Sequence, residues 1–140
     1  MDEPLTEELL RELLDSPDPA QFADAHHINH PSLPIYLQKL LEEKGLSRPA
    51  VVKAAGLNPT FGYQIFMGDR KPSRDKLLQL IFAMGCSLTE ANRALRIGGH
   101  SELYCKNRRD AIVIFCIDHG LTLAETEQQL YEFGEQTISS

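Results

Sequence analysis

Residues 46–68, LSRPAVVKAAGLNPTFGYQIFMG, decide the fold. Ser47 has the side chain of a helix N-cap, and Pro49 falls in the first turn, where a missing N–H costs nothing. A helix is therefore predicted from Arg48 to Ala55, stopped by Gly56. Asn58 caps a second short helix, Pro59 to about Met67, with Pro59 at the first helical position and Gly68 closing the end. An eight-residue helix, a tight turn and another short helix make a helix-turn-helix arrangement.

Outward from this stretch the periodicity stays helical. Leu33, Leu37, Leu40 and Leu41 form an i, i+4, i+7, i+8 stripe, and Gly45 ends that helix. After the turn GDRKP, Ser73 caps a helix from Arg74 to Met84 that is apolar on most sides through Leu77, Leu78, Leu80, Ile81 and Phe82, which predicts a central position. Ser87 with Glu90, and Thr122 with Glu125, form the S/T-x-x-E capping box at two further helix starts. Thr6–Leu14 reads as a short acidic helix stopped by SPDP at 16–19, and another short helix is predicted around Ala20 to His26. No stretch alternates β-branched residues with period two, so the expected class is all-α.

The last two hairpins repeat each other. RDKLLQLIFAMGCSLTEANRALRIGG at 74–99 returns 35 residues later as RDAIVIFCIDHGLTLAETEQQLYEFG at 109–134, with Arg, Asp, both turn glycines, both capping boxes and Leu95/Leu130 in one register. Tetratricopeptide arrays have a similar period but need about three repeats and a Trp, Gly and Pro signature that this chain lacks. Two stacked hairpins sharing a core are predicted instead. The expected organisation is an acidic helical extension over 1–32, a five-helix domain over 33–99, and a C-terminal helical hairpin over 100–140 that repeats 74–99.

The 140 residues suit one domain with appendages, and 42% hydrophobic with 24% charged residues excludes a disordered or collagen-like chain. The longest apolar run is Ala111–Ile117, far short of the about 20 residues of a membrane-spanning helix. The start, MDEPLTEELL, is acidic where a signal peptide is basic, which leads us to expect a cytoplasmic protein. Cys86, Cys105 and Cys116 are odd in number, two of them in apolar surroundings, and read as reduced core residues. Residues 1–32 carry a net charge of −7, residues 33–99 of +5 and the rest of −4, so an acidic chain holds a basic middle. Such asymmetry is a nucleic-acid signal.

From Leu33 to about Leu95 the chain resembles the Cro and lambda-repressor-like helix-turn-helix family, through EEKGLS, AAGLN, the Ile65 position, GDRKPS at 68–73 and LLQLIFAMGCSL. The match leaves out the acidic N-terminus and the hairpin from 106 onward. The resemblance implies a DNA-binding transcriptional regulator, acting as a dimer on a pseudo-palindromic site, with the helix 59–67 in the major groove. Thr60, Tyr63 and Gln64 would face bases, Gln64 having the geometry to bond adenine in a bidentate way. Arg48 and Lys53 would hold phosphates, Arg70, Lys71 and Arg74 would form a cationic rim, and the helix starts at Ser47 and Asn58 would add amide donors. Arg74 has an alternative, a structural ion pair with Asp75 or Asp110.

Two residues depart from the family pattern. Gly62 stands where an apolar core residue is usual, and Phe66 where a polar one is common. Phe61, Tyr63 and Phe66 make the helix aromatic and poor in charge, which suits the second function considered, a non-enzymatic module that keeps the fold and binds a protein partner there and through the C-terminal hairpin. Nothing suggests catalysis, a metal or a cofactor. His26, His27 and His30 lack a fourth ligand, Cys105 beside Lys106 lacks a base at motif spacing, Gly98-Gly99 only ends a helix, and Glu125 and Glu127 read as a cap and a solvated face. CKNRRD at 105–110 reads as a charged cap before the apolar helix that follows.

Overall fold

The computed structural model describes residues 10, 11, 14, 15 and 32–139. Leu10, Arg11, Leu14 and Asp15 are helical; the helix expected around Ala20–His26 and the three neighbouring histidines lie outside the described residues. The chain divides into two units, Met1–Pro31 and Ser32–Ser140, and the following concerns the second.

That unit is all-α: α1 (Leu33–Lys44), α2 (Arg48–Ala54), α3 (Pro59–Met67), α4 (Arg74–Ala83), α5 (Leu88–Ile97), α6 (Arg108–Asp118) and α7 (Leu123–Glu132). No strand occurs among the described residues. α1 buries Leu37, Leu40 and Leu41, three of the four residues of its leucine stripe, and ends at Gly45, whose φ of 65° only glycine adopts without strain. α4 buries five consecutive residues, Leu77 to Ile81. A helix buried all round has neighbours on every side; α4 packs on α2, α5 and α7, while α1 packs on α3 and α5.

The repeat becomes a reciprocal exchange. Arg74 Nη1 and Nη2 donate to the two carboxylate oxygens of Asp110 at 2.9 Å each, and Arg109 Nη1 and Nη2 donate to those of Asp75 at 3.0 and 3.2 Å. Each copy of the Arg-Asp dipeptide gives its arginine to the other copy's aspartate. The symmetry extends to the backbone: Arg74 also donates to the carbonyls of Ser101 and Glu102, and Arg109 to those of Gln136 and Thr137, the same positions 35 residues on. Packing follows suit, since α4 lies against α7 and α5 against α6. The hairpins are thus related by a pseudo-two-fold arrangement rather than stacked head to tail.

The repeat also runs past the glycines where the sequence match ends. Leu103 N–H donates to Asn92 Oδ1 at 2.9 Å, and Ile138 N–H to Glu127 Oε1 at 2.6 Å. Each latch plugs its apolar side chain into the core, Leu103 at 8% and Ile138 at 1% exposure. Glu127 is therefore a latch for the C-terminal tail, not the solvated residue that its sequence context predicts. Both capping boxes form as expected.

Burial by itself pushes the Asp110 carboxyl up, but the Arg74 hydrogen bonds, the Tyr104 N–H and the charges of Arg74 and Arg109 outweigh it and hold the group below its usual value. A depressed folded-state pKa stabilises the fold above the unfolded value of about 3.9, and that contribution disappears as pH falls through the folded value. Urea unfolding followed by circular dichroism is therefore expected to show stability dropping below about pH 4. Asp110→Ala, which strands Arg74, is expected to cost about 3 kcal/mol at pH 7, more than Asp75→Ala, because Asp110 is the more buried of the two carboxylates and also accepts the Tyr104 N–H. In Asp110→Ala the acid-dependent loss should shrink.

Candidate nucleic-acid interface

The site is built on α2, the turn after it and α3. Ser47 Oγ accepts the Ala50 N–H at 3.3 Å to start α2, and Asn58 Oδ1 accepts the Thr60 and Phe61 N–H groups at 2.9 and 3.3 Å to start α3. Between them Ala55 and Leu57 turn inward and are buried. The turn is anchored from beneath by Gln79 of α4, whose Nε2 donates to the Ala55 carbonyl at 2.8 Å. That carbonyl lies just past the end of α2, where helices leave acceptors without intrahelical donors.

Gly62 explains itself at this joint. A Cβ built there would meet the Val52 methyls at 2.4 and 2.6 Å, so the missing side chain lets α3 close directly onto α2. The loss of helix propensity, about 1 kcal/mol, is accepted for that contact. Phe66 is also placed differently from expectation. It is 4% exposed and belongs to the core beside Ile65, while Phe61 is half-buried. The aromatic surface expected on α3 reduces to Tyr63.

What α3 presents outward is Thr60, Tyr63 at 49% exposure and Met67 at 46%, with Gln64 half-buried beside them. The guanidinium carbon of Arg48 sits 4.8 Å from the centre of the Tyr63 ring, a cation–π contact that brings the start of α2 to the middle of α3. The loop after α3 is fixed by the Gln64 carbonyl, which accepts the Asp69 and Arg70 N–H groups at 2.9 and 3.3 Å. Arg70, Lys71 and Lys53 are exposed. Among the described residues, none of these three and not Arg48 joins an ion pair, whereas Lys44, Arg74, Arg96, Arg108 and Arg109 all do.

Two expected contacts are spent on the fold. Arg74 uses four of its five N–H groups on Asp110, Ser101 and Glu102, so it fastens the hairpins and leaves the cationic rim. Asn58 Oδ1 is committed to its cap, and the amides of Ala50, Thr60 and Phe61 are satisfied by caps instead of standing free for phosphate.

Elsewhere, Cys86 and Cys116 are buried and free, and burial pushes the Cys86 thiol up to about 12, which makes it unreactive. Cys105 is exposed, contrary to the core position expected of it. Asn107 caps α6, and Arg108 of CKNRRD donates to the Phe133 carbonyl at 2.9 Å. No group of three metal-ligating side chains occurs among the described residues, and no helix there is long and apolar enough to cross a membrane. No sequence motif marks an open apolar cleft of about 370 Å³ on the second hairpin, lined by Arg108, Ala111, Ile112, Phe115, Gln129 and Phe133. Phe115, at 52% exposure, stacks on His119 with ring centres 3.9 Å apart.

Gly62→Ala is expected to destabilise the domain by about 1–3 kcal/mol despite the better helix propensity of alanine, because the new methyl forces α2 and α3 apart. Val52→Ala in the same chain should return part of that loss, measured by a double-mutant cycle in urea. Neither a scan against protein-family models nor searches of curated proteins and solved structures finds a match to this chain.

Proposed function

We propose that the chain is a sequence-specific double-stranded DNA-binding regulator of transcription that lays α3 in the major groove. The observation that carries this reading is a group of cations beside α3: Arg48, Lys53, Arg70 and Lys71 lie on the elements flanking its outward, uncharged row and, like Lys76, Arg93 and Lys106 elsewhere, join no ion pair among the described residues. Phosphate contacts from such residues position a duplex, and side chains on the helix between them read it. Gln64, Thr60 and Tyr63 are the readers; the resemblance to repressor-like domains supports the same assignment. The regulator acts as a homodimer on two half-sites, as helix-turn-helix proteins do. It uses no cofactor and catalyses no reaction.

A second reading, a protein-binding module on the same fold, is favoured by the cleft around Phe115 and Phe133. Burial of Phe66 removes the support that it drew from α3.

A fluorescence-anisotropy titration against the DNA upstream of the protein's own reading frame, and against a scrambled duplex of equal length, separates the two. The regulator is expected to prefer the upstream DNA, with log K falling by about 0.9 per neutralised phosphate per unit of log salt. Arg70→Ala should weaken both duplexes alike and Gln64→Ala should erode the preference. Absence of binding to either duplex at low salt would transfer the function to the cleft.

A further inference from the structure

Resting on the DNA-binding reading, we infer that α3 reads A·T base pairs. The helix is PTFGYQIFM and has no charged residue at any position. Guanine is read in the major groove mainly by a bidentate arginine or lysine, and cytosine by a carboxylate accepting from its amino group. α3 supplies neither. Adenine is read by an amide that accepts from N6 and donates to N7, and thymine by apolar contact with its methyl group.

Only one amide on this surface is equipped for adenine. Asn58 has committed its oxygen to the Thr60 and Phe61 N–H groups, which leaves donors alone and rules out the paired contact. The half-buried Gln64 side chain makes no hydrogen bond among the described residues, so both its donor and its acceptor are available. Around it stand Thr60, with its methyl, Tyr63 and Met67, three groups that fit a thymine methyl. Arg48 is the cation held against this row, through the Tyr63 ring. It belongs to α2, and its role here is to anchor phosphate and to fix the tyrosine.

The test is selection from a randomised duplex pool with the full chain and with Gln64→Ala, Tyr63→Ala and Arg48→Met, followed by affinity measurement on the selected site. The base positions whose preference Gln64→Ala erases are expected to be A·T, with discrimination there falling about 5- to 150-fold. Replacing the neighbouring thymines by deoxyuridine, which removes only the methyl, should weaken binding about fourfold in the wild type. Tyr63→Ala should weaken that response, while Arg48→Met should lower affinity for all duplexes and leave the Gln64-dependent bases unchanged. Enrichment of G·C at the Gln64-dependent positions, or a guanine preference that Arg48→Met abolishes, would overturn A·T reading and leave DNA binding intact. Retention of duplexes without any base preference would also overturn it. Failure to retain any duplex at low salt would instead overturn the DNA-binding reading beneath it.

Discussion

The exchange of Arg74 and Arg109 between the two hairpins is the constraint on which the rest of the domain depends. Each guanidinium meets a carboxylate through two hydrogen bonds and closes on two backbone carbonyls, geometry that a lysine cannot match. Half-buried charge is unfavourable unless it is paired and hydrogen-bonded in this way. With the pairs made, α4 is trapped between α2 on one side and α7 on the other, and its whole circumference becomes core. From that fixed helix Gln79 reaches the turn between α2 and α3. The candidate reading surface therefore hangs on a chain of contacts that begins some distance away, in the pairing of two hairpins.

Structure and surface compete for the same residue types. Arginines and capping amides are the groups that would grip a phosphate, and the fold takes several of them. Arg74, Arg108 and Arg109 are drawn into the hairpins, and the first amides of α2 and α3 are satisfied by Ser47 and Asn58. What remains outward around α3 is a smaller set, four cations and an uncharged row of side chains. The net charge of the whole chain, −6, conceals this local balance.

Much of the fold was legible in the sequence because its signals are local. Caps, C-terminal glycines and leucine spacing place α3 residue for residue and most other boundaries within one position. The 35-residue repeat foretold two hairpins sharing a core, but not how they meet, because identical dipeptides leave open whether each arginine bonds its own aspartate or its twin's. The latches at Leu103 and Ile138 escaped for a related reason: Asn92 and Glu127 accept the same kind of bond with different side chains, so no identity marks them. The site was legible by residue type and not by commitment. Gly62 looked like a weak point until Val52 was seen against it, and Phe66 looked like surface because family habit, not the packing of this chain, set the expectation.

The cleft on the second hairpin makes the two copies of the repeat unequal in how far they are covered. Ile112, Phe115 and Gln129 occupy the positions that Leu77, Leu80 and Ala94 occupy in the first copy, and those three are wholly buried. In the first copy neighbouring helices set an upper limit on side-chain volume, and Ala94 could not become a glutamine without a clash or a stranded amide. In the second copy these positions are less covered, Ile112 and Gln129 half-buried and Phe115 exposed, and phenylalanine and glutamine stand in the same register. At these three positions the divergence in residue size goes with a difference in burial, and where the copies agree, at Arg, Asp, the turn glycines and the caps, both answer to the same geometry.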